Sequence, residues 1–227
     1  MLGIKTKLKK ILKSESKSLV NKDRIKDLMF AFQADEYGHE CSAKNSDLGY
    51  GWLHYGLIRQ QKPKRILCVG SCHGYIPAIF AQACKDNSFG SVDFVDAGFG
   101  LDDKGGWTGV GYWKTKKGQS CFNNFDLGSH ITLFVTTTKK FSQKYPNQVY
   151  DYVYIDGDHS FKGATLDFKL FWPKLNKNGY LVFHDICVKE DKPEGKYGVW
   201  KLWEKLEQEF KGIKVNYLGS GLGIIQK

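Results

Sequence analysis

Two apolar segments of the sequence end in carboxylates. The run YVYID ends at Asp156, and the run YLVFHD ends at Asp185. Both runs are typical of buried parallel strands, and ligands bind at the edge of a sheet where the carboxyl ends of such strands meet. One or two carboxylates suit a hard cation such as Mg²⁺, which keeps its other positions for water and substrate. The sequence therefore predicts a cation site at which a substrate hydroxyl could be bound and made more acidic.

His159 lies three residues beyond Asp156. Its usual pKa of about 6.5 suits proton removal at neutral pH, so it is a candidate general base for an acceptor hydroxyl. The alternatives are structural. His159 could be a buried histidine with satisfied ring nitrogens, and Asp156 and Asp158 could cap the helix that begins near Phe161.

The stretch VGSCHGY, residues 69–75, indicates a turn from a strand into a helix, flanked by Gly70 and Gly74. Glycine in such a turn lets a ligand approach the backbone closely. Asp96 follows at the end of the next predicted strand, where a carboxylate accepts hydrogen bonds from the hydroxyls of a ribose. Together these features predict a nucleoside cofactor, although a tight turn with a capping aspartate is the structural alternative. Cys72 stands where a nicotinamide site needs glycine to meet the pyrophosphate, a group that S-adenosylmethionine lacks.

Short apolar runs alternate with helical patterns along the chain, which predicts an α/β fold with a parallel sheet. The predicted strands are residues 65–70, 91–97, 131–135, 150–156 and 180–186. Helices are predicted near residues 21–33, 47–61, 75–85, 138–145, 161–172 and 199–210. The tail IKVNYLGSGLGIIQK has two strand patterns around a Gly-Ser-Gly turn, so we expect the sheet to end in an antiparallel hairpin.

Four stretches carry a resemblance to a known family: RILCVGSCHGY, SVDFVDAG, the block from Asp151 to Ile186, and GLGIIQK. They resemble the class I S-adenosylmethionine-dependent methyltransferases. More narrowly, they resemble the branch that includes macrolide and aminocoumarin sugar O-methyltransferases and proteins labelled cephalosporin hydroxylase. The resemblance covers about residues 48–227 and implies a Rossmann-like, mostly parallel seven-stranded sheet. Residues 1–47 would form an N-terminal helical extension.

The resemblance also implies roles for cofactor-binding residues. The amino-acid part of S-adenosylmethionine would contact Gly70, Ser71, Gly74 and Tyr75. Its ribose would contact Asp96, and Asp156 would also belong to the cofactor pocket. Cys68 departs from the family pattern, because many members carry an acidic residue there.

The metal site follows the same pattern. Asp156 and Asp185 match metal ligands of the resembling sugar methyltransferases. The residue before Asp185 is often a second carboxylate in those relatives but is His184 here, which makes this imidazole the third candidate ligand. His159 matches the position proposed as the general base in some relatives.

The charge of the chain does not indicate nucleic-acid binding. The net charge is +10, but the 34 basic residues include only three arginines, the side chain best suited to phosphate and base recognition. Residues 1–20 contain six lysines and one glutamate in the pattern of a basic amphipathic helix. This helix could bind an anionic membrane or a partner, but we favour packing on the body or on a second subunit of a homo-oligomer.

Other features concern the compartment. The six cysteines have no paired CxxC spacing, so reduced core thiols are favoured over a zinc site at Cys68, Cys72 and His73. The sequence contains neither a membrane-spanning run nor a signal-peptide pattern. We therefore predict a cytoplasmic protein.

A long glycine-rich connection, residues 98–128, separates the second and third predicted strands. Connections of this length are usually functional or disordered. Trp107, Tyr112 and Trp113 could form a flap, extending to about residue 130, that stacks on a flat acceptor. The alternative is that these aromatic side chains form a wall of core packing.

These features lead to one functional hypothesis and two rivals. The chain is expected to be an S-adenosylmethionine-dependent O-methyltransferase, assisted by a metal such as Mg²⁺, that acts on a small hydroxylated acceptor such as a sugar or glycoside. Base-modifying N-methyltransferases usually carry an Asn/Asp-Pro-Pro-aromatic motif where this chain has IDGD, so a nucleic-acid acceptor is not expected. The rivals are a nicotinamide-dependent oxidoreductase and a catalytically silent cofactor-binding or scaffold protein.

Overall fold

A computed structural model of the chain describes residues 18–19, 21–34, 38–100, 111–191, 196–215 and 219–227. The helices are α1 (Lys22–Ala31), α2 (Tyr50–Gln61), α3 (Tyr75–Asn87), α4 (Lys116–Asn124), α5 (Thr138–Lys144), α6 (Phe161–Phe171) and α7 (Val199–Glu209). The strands are β1 (Arg65–Val69), β2 (Ser91–Asp96), β3 (Ile131–Val135), β4 (Tyr150–Ile155), β5 (Leu175–His184), β6 (Gly212–Val215) and β7 (Leu222–Gln226).

The seven strands form one sheet in the order β3-β2-β1-β4-β5-β7-β6. Strands β1 to β5 pair in parallel, whereas β7 runs antiparallel to both β5 and β6. The predicted α/β class, the mostly parallel seven-stranded sheet and the C-terminal antiparallel hairpin are therefore confirmed.

Strand register brings the predicted site residues to one edge of the sheet. Val69 at the end of β1 pairs with Val95 on one side and with Ile155 on the other. Ile155 in turn pairs with Phe183 of β5. The residues that follow these four positions therefore share one edge: Gly70, Asp96, Asp156 and His184.

The central strands of the sheet are buried on both faces. Alternate residues of each strand point to opposite sides of the sheet, and both sides are covered by helices. On one face, Ile66 and Cys68 of β1 pack with α2, α3 and the segment before α2. On the other, Leu67 and Val69 pack with α5, α6 and α7. Each face thus has its own hydrophobic core, and the central strands lie between them.

The segment before α2 packs on the sheet domain. Leu19 is fully buried, and its N–H donates to Asp86 of α3. The Arg24 guanidinium of α1 donates to Gln82 of α3 and to the carbonyl of Phe125. The predicted basic helix over residues 1–20 lies outside the described residues except for positions 18 and 19, and the domain boundary at residue 48 stays a prediction.

The connection after β2 differs from the predicted flap where the structure describes it. Residues 116–124 form α4, a helix that the sequence patterns did not predict. Trp113 is buried, stacks on Phe122 at 5.6 Å between ring centroids, and meets Phe94 edge-on at 4.7 Å. The stacking hypothesis is therefore wrong for Trp113, because an aromatic ring gains more from burial in a core than from exposure in a mobile loop. Trp107 lies outside the described residues.

The cysteines and the helices bear on two further sequence arguments. No disulfide bond joins the six cysteines, all of which lie in the described part of the chain. Within the described ranges, only Asp156, His184 and Asp185 form a group of side chains that could share a metal ion, so the zinc alternative at Cys68, Cys72 and His73 has no support. None of the described helices combines the length and apolar character needed to cross a membrane.

Candidate active site

The turn between β1 and α3 is held by its own backbone and by its neighbours. Gly70 has a φ of +69° and Gly74 a φ of +91°, values in the left-handed region that favours glycine. A Cβ at Gly70 would collide with the carbonyl of Asp156, and one at Gly74 would lie 2.7 Å from the ring of Trp113. Both glycines are therefore required by protein packing, and Gly70 brings the turn into direct contact with the exit of β4.

Ser71 and Asp96 link the turn to the end of β2. Asp96 accepts hydrogen bonds from the backbone N–H of Gly98, at 2.7 Å, and from that of Ser71. Burial raises the pKa of Asp96 from its usual value, although these two N–H groups oppose the shift. The side chain of Tyr75 contacts the segment before α2, because its hydroxyl donates a hydrogen bond to the carbonyl of Leu48 at 2.8 Å.

Asp156 is the centre of a cluster of carboxylates and imidazoles. Its Oδ2 accepts a hydrogen bond from the Tyr154 hydroxyl at 3.1 Å. Its Oδ1 lies 3.1 Å from His159 Nε2 and 3.2 Å from His184 Nδ1. Asp185 completes the cluster, with Oδ2 at 3.4 Å from His159 Nδ1 and Oδ1 at 3.3 Å from His184 Nδ1.

The backbone at Asp185 is unusual. Its φ is +60°, in the left-handed region, where aspartate is tolerated better than most residues but is still uncommon. The carbonyl of Asp185 accepts the N–H of Val188, so a turn starts directly after β5. This conformation places Asp185 and the preceding His184 on the same cluster, although neighbours in a regular strand point to opposite faces.

Mutual attraction sets the charges of the four side chains. Burial alone would raise the carboxyl pKa values and lower the imidazole values. That effect is outweighed: the two histidines hold the pKa of Asp156 and of Asp185 below the usual range. The carboxylates in turn raise the pKa of His159, and they raise that of His184 well above its ordinary value.

Residues before α2 also reach the cluster. His184 Nε2 lies 3.2 Å from the carbonyl oxygen of Gly38, and the ring of His39 lies 4.8 Å from that of His184. His39 is 7% exposed, and its Nδ1 has no hydrogen-bond partner among the described residues. Burial, with a smaller effect from His184, lowers the pKa of His39 to about 4. Sequence reasoning missed Gly38 and His39, because nothing in the local pattern links them to strands more than a hundred residues away.

The helix-cap interpretation of Asp156 is wrong. Ser160 caps α6, since its Oγ accepts the N–H of Gly163 at 3.0 Å. Asp158 supports this turn by accepting the N–H of Ser160 at 2.9 Å. Asp156 takes no part in the cap and faces Tyr154 and the histidines instead.

The donor set fits a divalent cation. One ligand atom from each of Asp156, His184 and Asp185 can be chosen so that all three lie within 4.8 Å of one another. His184 Nδ1 is buried and points among the carboxylates without making a well-directed hydrogen bond to any described residue. A buried nitrogen aimed between two carboxylates is an arrangement that a shared cation would satisfy.

The sequence of this region matches a protein family. Residues 67–186, more than half of the chain, match the family described as a methyltransferase domain. The chain belongs to this methyltransferase family. Its sheet topology is that of the class I S-adenosylmethionine-dependent methyltransferases, so the predicted class is confirmed and the nicotinamide-dependent oxidoreductase is not supported.

The chain is similar to other proteins in sequence and in structure. An uncharacterized protein of Sinorhizobium fredii, y4gI, is 24% identical over 179 residues, which are 77% of this chain and 19% of that protein. The chain spans about a fifth of the length of the curated relatives it matches.

Two solved structures illustrate the likeness in fold. An O-methyltransferase from Bacillus cereus in complex with S-adenosylhomocysteine has a TM-score of 0.62 and 14% identity, with 89% of this chain and 90% of that chain covered. The O-methyltransferase TomG from Streptomyces achromogenes, involved in tomaymycin synthesis and in complex with S-adenosylmethionine, has a TM-score of 0.60 and 17% identity, with 88% of each chain covered. At these identities the comparison supports the methyltransferase fold.

Proposed function

We propose that this methyltransferase moves the methyl group of S-adenosylmethionine to a hydroxyl of a small acceptor such as a sugar or glycoside, with a divalent cation bound at Asp156, His184 and Asp185. The observation that carries the proposal is the contact between the two parts of the site. The turn at Gly70 packs directly on the backbone of Asp156, so a cofactor on the turn would lie beside the carboxylate cluster.

The cofactor supplies a methyl group that is already activated by its sulfonium. The protein therefore has mainly to position the reactants. We assign the turn formed by Gly70, Ser71, Gly74 and Tyr75 to the amino-acid part of the cofactor. The first N–H groups of α3 have no partner within the helix, which suits a carboxylate. Asp96 is assigned to the ribose hydroxyls.

The cluster is suited to a hydroxyl acceptor. A hydroxyl must lose its proton to become a good nucleophile, and a cation held by carboxylates lowers the pKa of a bound hydroxyl. His159 is assigned as the base that takes this proton. A cation held by the two carboxylates would weaken the attraction that raises the pKa of His159, so that a neutral ring would be available to accept a proton.

The proposal also covers the acceptor atom, the cellular location and the partners of the protein. The names of TomG and the Bacillus cereus protein support oxygen as the acceptor atom. The lack of disulfide bonds among the described cysteines is consistent with a reducing, cytoplasmic location. We propose a small-molecule acceptor rather than a nucleic acid, and leave the basic segment at residues 1–20 as a packing helix on the chain or on a second subunit.

A panel of acceptors tests the proposal. Formation of S-adenosylhomocysteine from S-adenosylmethionine would be measured with sugars, glycosides and catechols, each with and without added divalent cations. At least one hydroxylated class is expected to give a methyl ether by mass spectrometry, and a chelator should stop the reaction. Analogues without the free hydroxyl serve as controls. Methylation of amine acceptors alone would contradict the proposal, and cofactor binding without any turnover would favour the silent scaffold.

A further inference from the structure

The orientation of His184 is fixed by a neighbour on its outer side. Its Nε2 lies 3.2 Å from the carbonyl oxygen of Gly38, which can only accept a hydrogen bond, so Nε2 carries a hydrogen. Gly38 is in turn held in place, because its carbonyl also accepts the hydroxyl of Ser220 at 2.7 Å. In the neutral ring, the other nitrogen, Nδ1, then presents a lone pair.

That lone pair faces two carboxylates. His184 Nδ1 lies 3.2 Å from Asp156 Oδ1 and 3.3 Å from Asp185 Oδ1, and the ring is 4% exposed. Neither oxygen forms a well-directed hydrogen bond with Nδ1. Three electron-rich atoms that converge in a buried space repel one another unless Nδ1 carries a proton or a cation lies among them. A metal ion bound by one nitrogen and two oxygens meets this requirement.

We propose that this site prefers a divalent first-row transition-metal ion, such as Mn²⁺, Fe²⁺, Co²⁺ or Zn²⁺, over Mg²⁺. The inference deepens the proposed function, since it rests on the metal site assigned above but not on the acceptor. Mg²⁺ is bound in proteins by oxygen ligands and water, whereas imidazole nitrogen suits transition metals. His184 supplies such a nitrogen at the position where an oxygen ligand would favour Mg²⁺.

The surroundings of His184 support a ligand role. Metal-binding histidines usually donate their second ring N–H to a carbonyl or carboxylate, which fixes the ring and raises its basicity. The bond to Gly38 has this form, and the rings of His39 and Tyr50 pack against His184 at 4.8 and 6.0 Å. These contacts fix the orientation of the His184 ring, so that Nδ1 already points towards the two carboxylates without a metal.

Metal titrations of the full chain test the inference. Tag-free protein, stripped of metal with a chelator, would be titrated calorimetrically with Mn²⁺, Co²⁺ and Mg²⁺. Because many sites bind transition metals more tightly than Mg²⁺, the decisive quantity is how the Co²⁺ to Mg²⁺ affinity ratio depends on His184. His184→Asp restores an all-oxygen donor set and is expected to lower this ratio by about 10- to 100-fold.

A spectroscopic measurement and additional variants test whether the nitrogen of His184 binds the metal. Bound Mn²⁺ should show nitrogen coupling in electron spin-echo spectra of the wild type, and this coupling should weaken or vanish in His184→Asp. His184→Gln, which adds no charge, is a second variant in case the aspartate impairs folding, and it should lower the ratio in the same direction. His130→Asn is the matched control. His130 directly precedes β3 and so lies at the opposite edge of the sheet from the cluster, where it contacts the carbonyl of Gly90, and its substitution should leave the ratio unchanged.

The failure of this inference can be separated from failure of the proposed function. S-adenosylhomocysteine binding and acceptor turnover would be measured on the same samples. If the protein turns over with Mg²⁺ and the affinity ratio is the same in wild type and His184 variants, the metal preference is wrong while the O-methyltransferase stands. An absence of nitrogen coupling in the wild type would also overturn it.

Discussion

Asp156→Asn should lower methyl transfer by about 10³-fold or more while S-adenosylhomocysteine still binds. The substitution keeps the shape of the side chain but removes the negative charge that attracts a cation and both histidines. Because Asp156 also pairs with His159 and His184 in a buried cluster, the change should lower stability as well, and a thermal unfolding curve would show that the variant is folded at the assay temperature. Initial rates with the best acceptor of the panel and calorimetry with S-adenosylhomocysteine would give the two quantities.

Asp158→Asn is the matched control for this change. Asp158 lies two residues away and accepts the N–H of Ser160, a role that an asparagine oxygen can also fill. Its activity should stay close to that of the wild type. If Asp156→Asn were as active as Asp158→Asn, the carboxylate cluster would have no part in the reaction.

Asp167→Asn should stabilise the protein above neutral pH by up to about 4 kcal/mol relative to its effect near pH 4. Asp167 of α6 is 3% exposed, and burial raises its pKa to about 7, against a partial opposing effect from the Thr138 hydroxyl. Because the folded pKa exceeds the unfolded value of about 3.9, the folded state binds the proton more tightly. The stability that this carboxyl contributes is fully present below about pH 4 and is lost as the pH rises towards 7.

Chemical denaturation between pH 4 and pH 8 measures this effect. The free energy of unfolding of Asp167→Asn minus that of the wild type should rise with pH and level off above about pH 7. Asparagine retains an oxygen that can accept a hydrogen bond from Thr138. Asp23→Asn, at an exposed position of α1, should show no comparable rise. Parallel curves for the wild type and Asp167→Asn would mean that Asp167 is as acidic in the folded chain as in the unfolded one.

The sequence was most informative where local pattern and burial agree. Short apolar runs predicted β1 to β5, because the central strands of a parallel sheet that is covered on both faces bury side chains on both sides. The carboxylates at Asp156 and Asp185 stood out for the same reason, since polar residues directly after such runs must lie at the sheet edge. Tyr154 could also have been found, because it precedes Asp156 by two residues and so points to the same side.

The sequence was least informative about side chains whose surroundings depend on contacts between distant parts of the chain. The two motif glycines suggested room for a ligand, yet the space beside Gly70 is taken by the carbonyl of Asp156 and that beside Gly74 by Trp113. An isolated aromatic residue among glycines does not reveal whether its ring is buried, so Trp113 could not be assigned from composition. Gly38 reaches His184 only because the segment before α2 folds back over the edge of the sheet.

Calorimetric titration with S-adenosylhomocysteine and with NAD tests the central claim most directly. The wild type should bind S-adenosylhomocysteine and not NAD, because Cys72 occupies the position at which a pyrophosphate would meet glycine. Asp96→Ala should weaken S-adenosylhomocysteine binding by about 10- to 150-fold, the scale for hydrogen bonds to a charged group of about 1.5 to 3 kcal/mol. Tight binding of NAD, or S-adenosylhomocysteine affinity that is the same with and without the Asp96 carboxylate, would contradict the assignment of this edge of the sheet to the methyl donor.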